Sequence, residues 1–492
     1  MLFNSLNFAF FLSVCVVLYY AIPNNWRIGF LLFASYFYYA TWKVKYTVLL
    51  LIVTLISFTF GKKIGDSSST QKKSRWFFFS VLINLSILVF FKYYNFFNGS
   101  IGSSAQFFNI SYNIPQLDII LPVGISFFIF KSISYSFDVY RGDIVHESNF
   151  LKYALYVSFF PQLLAGPIER SKNLLPQFYK KITFEYDKVT DGLRLFAWGL
   201  FKKVVIADRV GLVVDRVYDN PPQFHGLPLI VATFLFTYQI YCDFSGYSDM
   251  AIGVAKIFGF ESKLNFDRPY FSRSVSEFWR KWHISLTSWF RDYLYIPLGG
   301  NRVVKWRWYY NLMIVFLVSG LWHGANWTFI LWGALHGMYL LMGIWTKDLR
   351  GLICRAVRLQ QAPVVHDLFR ILITFSLVSF AWIFFRANNI HDALYVSSHI
   401  LSGFYDLFNN FDLVYIISGL GQLGISQKEL TVALMAILLL EVVQAIQCIP
   451  DIKSRFLSQA VWVRWLCYYG LTLLIIFYGA FNASQDFIYM QF

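Results

Sequence analysis

Apolar stretches of about 20 residues, the length a helix needs to cross a bilayer, recur along almost the whole of this sequence. They fall near 2–22, 28–42, 46–60, 76–97 and 119–137, and again near 368–386, 430–448 and 461–480. A chain of this kind has few folds open to it. Hydrocarbon offers no partner to a backbone N–H or C=O, so each span must satisfy its own groups as a helix. Composition agrees: 57% of the residues are hydrophobic and 14% charged, against about 25% charged in a soluble domain. The 492 residues therefore read as one all-α, polytopic membrane domain of roughly 10–13 spans. Within it, 1–150 carries N-terminal spans, 151–345 a less regular core, and 346–492 C-terminal spans and a tail. The opening MLFNSLNFAFFLSVCVVLYYAIP lacks the positive n-region and small-residue cleavage site of a signal peptide and reads as a retained first span.

Charge gives the orientation. The segment 61–75, GKKIGDSSSTQKKSR, holds five basic residues and one acidic one, and basic loops stay on the cytoplasmic side. Counting spans back from it puts the N-terminus outside. Lys347, Arg350, Arg355 and Arg358 mark a second cytoplasmic loop. Residues 387–429 then form an external loop with a short helical region, and the C-terminus lies outside. The net charge of +15 fits this loop bias; the alternative is an acidic substrate carrier. Nucleic acid is excluded as a partner, since no soluble basic module exists to hold it. The five cysteines are scattered without metal-ligand spacing and read as buried thiols. No metal and no permanently bound cofactor is expected.

The middle of the chain is where function concentrates. Apolar stretches near 150–165, 190–215 and 227–258 are interrupted by Pro, Gly and charge, which membrane helices tolerate only where they face protein or a watery cavity. In 272–300, Ser274 and Glu277 make a capping box, and apolar positions from Val275 to Tyr293 recur at helical spacing. The segment is too charged for a lipid-facing span and reads as interfacial or re-entrant. It carries His283 on its aromatic side, with Arg280, Trp282 and Asp292 nearby. His283 is either a satisfied core histidine or part of a site.

The stretch 306–345 would make about 60 Å of helix at 1.5 Å per residue, twice the hydrocarbon thickness of about 30 Å. It has to break, and Ser319-Gly320 and Gly324 flank the place. That leaves His323 within the membrane, close to Asn326. An intramembrane ionisable residue is costly and points to function; the competing reading is a helix-packing site with His as an interhelical hydrogen bond. His336, deeper in the second half, fits the packing reading better. In 238–250, YQIYCDFSGYSDM, Asp243 sits between apolar runs, where it would orient a histidine or pair with a basic residue. The segment 159–170 should shape a loop.

Four stretches together, FFPQLLAGPIER, YCDFSGYSDMAIG, FWRKWHISLTSWFRDYLYIPLGGNR and SGLWHGANWTFILWGALHG, resemble the membrane-bound O-acyltransferase family. The likeness is to its bacterial branch that includes alginate O-acetylation. The resemblance implies a helical bundle around a central tunnel. It implies an acyl donor, acetyl-CoA or an acylated carrier protein, entering from the cytoplasm. It also implies a polysaccharide acceptor outside and a secreted SGNH-type O-acetyltransferase as partner, with the protein itself in the bacterial inner membrane. The family's catalytic histidine maps onto His323 and its second histidine onto His283. O-acylation needs a base for a hydroxyl proton, and an imidazole with an ordinary pKa of about 6.5 suits it. The closing FIYMQF resembles the FxYxxF end of a small partner in the related D-alanylation system, where the tyrosine is a proposed acyl relay. Tyr489 is the matching residue; the alternative is an apolar tail that plugs the bundle. A transporter or channel would also explain broken helices and buried histidines. It predicts internal symmetry between halves, which the sequence lacks. A non-catalytic scaffold leaves the histidines without a reason.

Overall fold

The computed structural model of the chain describes residues 1–409, 412–481 and 487–488. These are helical with no β-strand among them. The N-terminal part consists of α1 (Leu6–Ala21), α2 (Asn24–Ala40), α3 (Val44–Gly65), α4 (Thr70–Phe107), α5 (Ile125–Arg141) and α6 (Phe150–Ser158). The core holds α7 (Tyr186–Leu200), α8 (Asp208–Tyr218), α9 (Leu227–Ile257), α10 (Val275–Lys281), α11 (Ile284–Phe290), α12 (Lys305–His323) and α13 (Trp327–Trp345). The C-terminal part adds α14 (Pro363–Arg386), α15 (Ile390–Asn409), α16 (Leu413–Gly421), α17 (Gln427–Ile446) and α18 (Val461–Tyr478). Among the described residues, seven helices are long and apolar enough to cross a membrane: α3, α4, α9, α13, α14, α17 and α18. The chain is a multi-pass membrane protein.

Burial separates the centre from the rim. In α9, 83% of the most apolar window is buried, against 6% in α18; α9 is the axis and α18 faces lipid. Breaks were expected over 227–258, yet α9 runs unbroken for 31 residues. Its two aspartates do not interrupt it because each meets a lysine. A π-helical stretch, Phe201–Ala207, joins α7 to α8. It turns consecutive lysines toward α9, pairing Lys202 with Asp249 at 2.6 Å and Lys203 with Asp243 at 2.6 Å and Asp208 at 2.7 Å. The α9 glycines do not break it either. Gly246 lies against Gly199 of α7 and Gly253 against Gly192, so close that an added Cβ would stand 2.6–2.7 Å from the facing carbonyl oxygen. At one end of this pair Asp191 holds Lys256 at 3.0 Å and Lys453 at 2.6 Å. Burial alone would raise its pKa, but the two ammonium groups hold the carboxyl down to about 2.

Three other expectations change. Residues 387–429 are not a loop with one short helix, because α15 and α16 fill them. α15 is held by a close approach of Gly403 to Gly226 and by buried Ala393 and Val396. The continuous helical seam over 272–300 is two short helices, for a reason given below. Of the cysteines only Cys15 and Cys242 are buried, while Cys448, in the turn after α17, and Cys467, on the outer face of α18, are exposed.

Candidate active site

The break expected in 306–345 falls at Gly324–Asn326, and the two halves fold back as a helical hairpin. The hairpin closes through glycine: a Cβ at Gly320 would meet the backbone of Phe329, and one at Gly333 the carbonyl of Phe316. His323 is the last residue of α12 and only 3% exposed. Its ring is packed edge-on against Trp322, Trp332 and Phe385, with centroids 4.9, 5.0 and 5.4 Å away.

Two openings meet here. A cavity of about 650 Å³ reaches Gly324, Ala325 and Phe385 on one side of the histidine. Its wall is polar, with Asn95, Asp215, Gln239, Asn326, Arg386 and Asn388. Arg386 bridges Asp215 at 2.7 Å and Asp219 at 3.2 Å across the mouth. A narrow cleft lined by His323, Trp322 and the 121–127 turn adjoins it, with Lys92 and Leu121 bordering both. Asn326 is part of this site. Its Oδ1 caps α13 by accepting the Thr328 N–H at 3.1 Å, and its Nδ2 donates to the Asn388 carbonyl.

His283 reaches the same place by a different route. It stands between α10 and α11 with φ +42°, a left-handed conformation unusual for a non-glycine residue. This is why the predicted single helix splits. Asn265 overrides the helical pattern, its Oδ1 accepting the Ser285 N–H at 3.1 Å and the Ser285 hydroxyl at 2.9 Å. Since a backbone N–H can only donate, that atom is the amide oxygen. His283 Nδ1, 3.2 Å from it, therefore carries its proton as the donor, and the Nε2 side of the ring keeps the lone pair. The Asn265 amide donates in turn to Ser248 of α9 at 3.0 Å. The ring is fully buried, edge-on to Phe244 at 4.6 Å and 6.1 Å from Trp322. The Trp322 indole is thus the shared neighbour of both histidines. Ser274 caps α10 as predicted, but Glu277 reaches back to the Arg273 N–H in place of that of Ser274.

The remaining candidates divide. Trp282 is buried among Phe266, Phe278 and Trp382, building the wall behind His283. Asp292 pairs with Arg291 at 2.8 Å and Arg170 at 3.5 Å and belongs to a separate polar cluster with Asp138 and Tyr293. Arg280 is exposed, on the outer side of α10. His336 accepts from the Trp279 indole at 3.2 Å, the packing role expected of it. Asp243 pairs with Lys203, and its second oxygen accepts the Ile488 N–H at 2.7 Å.

That last bond brings the tail into the molecule. Phe487 is 1% and Ile488 8% exposed. The Phe487 ring lies beneath the Lys203 ammonium at 4.3 Å and edge-on to Tyr247, and Ile488 lines the 650 Å³ cavity. The start of the tail motif is therefore docked in the bundle. The anchor is a buried carboxylate supplied by α9. Tyr489 lies outside the described residues.

Sequence reasoning missed Lys92, Tyr93, Asn265 and Lys203. Lys92 had left a signal, as a lone lysine inside the apolar run VFFKYY. Asn265 had left none.

The chain belongs to the membrane-bound O-acyltransferase family, whose model matches residues 31–385, and it is an O-acyltransferase. Among curated proteins it is 42% identical over 392 residues to a probable alginate O-acetylase of Azotobacter vinelandii, covering 79% of this chain and 76% of that one. It is 37% identical over 402 residues to a peptidoglycan O-acetyltransferase of Helicobacter pylori, covering 76% and 73%. A teichoic acid D-alanyltransferase of Bacillus subtilis is 27% identical over 297 residues, covering 56% and 71%.

Proposed function

We propose that this enzyme passes acetyl groups from a cytoplasmic thioester, acetyl-CoA or an acylated carrier protein, across a bacterial inner membrane for O-acetylation of a cell-surface polysaccharide. The observation that carries the reading is His323 buried at the meeting of a polar cavity and a narrow cleft. The curated names of its relatives, which act on alginate and peptidoglycan, support the acceptor class.

In this reading His323 is the general base. It takes the proton of an attacking hydroxyl as the oxygen adds to the thioester carbonyl. Collapse of the tetrahedral adduct breaks the C–S bond, and the imidazolium returns the proton to the leaving thiolate. His283, its tautomer set by Asn265, orients or polarises. The aromatic wall keeps water from the thioester. Trp282 and Asn326 support the two histidines, while Arg280 and Asp292 lie apart from them. Tyr489 follows Phe487, buried in the bundle, and Ile488, which lines the cavity, and we assign it the acyl relay. A phenol of pKa about 10 ionises more readily than a sugar hydroxyl, and its ester stays reactive enough to pass the group to a secreted SGNH-type transferase or to the polysaccharide.

Purified protein given radiolabelled acetyl-CoA tests this. Wild type is expected to trap label, while His323→Ala and Tyr489→Phe trap none. Loss of a general base should slow turnover by about 10²- to 10⁴-fold. Label retained by His323→Ala removes that histidine as the base, and label retained by Tyr489→Phe removes the relay.

A further inference from the structure

We infer that Lys92, helped by Tyr93, is the positioning group for His323, acting from a different helix as the cap of α12; this rests on His323 being the reacting base. The last four carbonyls of any α-helix lack an intrahelical donor, and in α12 these belong to residues 320–323. The Gly324 N–H turns back onto the Gly320 carbonyl at 3.3 Å. The other three are met by side chains of α4. The Tyr93 hydroxyl donates to the Leu321 carbonyl at 2.8 Å, and the Lys92 ammonium donates to Trp322 at 2.6 Å and His323 at 3.1 Å.

Adjacent residues on a regular helix point about 100° apart, which would send one of this pair away from α12. Here α4 contains a π-helical turn, Val89–Tyr93, and both side chains converge on the α12 terminus. Such turns concentrate at functional sites. The ammonium also meets the negative end of the α12 dipole and approaches the Trp322 ring at 5.8 Å. That indole is the neighbour common to both histidines. Lys92 borders both the cavity and the cleft, so it fixes the base at the junction the reactants must share. A buried lysine is a costly choice for this cap, because an uncharged donor would satisfy the same carbonyls at less desolvation.

The test compares turnover of wild type, Lys92→Met, Lys92→Arg, His323→Ala and the Lys92→Met/His323→Ala double variant, each with its folded yield and thermal midpoint. Lys92→Met is expected to lower kcat by about 10- to 100-fold, the scale of a misplaced catalytic group. KM for the acyl donor should hold and the pH profile should move. Lys92→Arg should recover most of the loss, and the double variant should be no slower than His323→Ala alone. If Lys92→Met does not fold, Tyr93→Phe, which removes the donor to the Leu321 carbonyl, is read in its place, with a smaller loss of kcat expected in the same direction. Wild-type kcat and pH profile in the variant that lacks the donor, with His323→Ala inactive, overturn this proposal and leave His323 as the base. An active His323→Ala overturns both.

Discussion

At the scale of single residues, the site depends on polar groups being satisfied by partners far away in sequence. His283 takes its tautomer from Asn265, and His323 has its carbonyl held by Lys92. Asp243 is the clearest case. One oxygen neutralises Lys203, which also pairs with Asp208, and the other holds the tail at Ile488. Removing one partner of a buried ion pair costs about 3–5 kcal/mol. Asp208 remains beside Lys203 in Asp243→Asn, so the expected loss lies at the low end of that range. The amide is also a weaker acceptor than a carboxylate for the tail N–H. Asp243→Asn should therefore lower the thermal midpoint in detergent and speed carboxypeptidase removal of the C-terminal residues. An unchanged midpoint together with an unchanged cleavage rate would show that the carboxylate anchors nothing.

At the scale of elements, the close pairing of α7 with α9 is what brings the two lysines to the two aspartates. Two glycine pairs, Gly192 with Gly253 and Gly199 with Gly246, let the backbones meet. Small residues serve this purpose in membrane helices, where burial from water drives little of the association. In Gly246→Ala the new methyl would stand 2.7 Å from the Gly199 oxygen, and the facing atom is backbone, which cannot swing aside. Overpacking of this kind costs about 1–3 kcal/mol. Activity should fall with stability, because separating the helices pulls Lys202 and Lys203 from their carboxylates. Gly343→Ala is the control, having open space around it; a similar midpoint for the two variants would remove the close-approach argument. The π-helical turns in α4 and before α8 belong to the same scale, since each redirects neighbouring side chains onto another helix.

For the whole molecule, sidedness sets the direction of transfer. The proposed path needs the donor on one face and the acceptor on the other. The basic 61–75 segment and the loop bearing Arg350 and Arg355 should share the cytoplasmic face, with 98–118 opposite. Single cysteines at Ser68 and Ser104, in a chain whose five native cysteines are replaced, should label from opposite sides with an impermeant maleimide in intact cells. Only Ser104→Cys should react before the membrane is opened. Labelling at Ser68 from outside would invert the topology and with it the direction of transfer.

Much of this protein was legible in its sequence, because the bilayer imposes a rule that one chain must obey locally: apolar runs become helices whatever their neighbours. The all-α class, the main spans, the break before Asn326 and the two histidines follow from that rule and from the four family stretches. The tertiary structure alone decided which buried charge meets which. It decided that α9 stays whole although it carries Asp243 and Asp249, that Asn265 splits the helix at His283, that Lys92 caps α12, and that Ile488 turns inward to Asp243. The physical reason is range: helix formation in an apolar medium is settled within a few turns, whereas a buried polar group is stable only beside a partner that the fold brings from tens or hundreds of residues away.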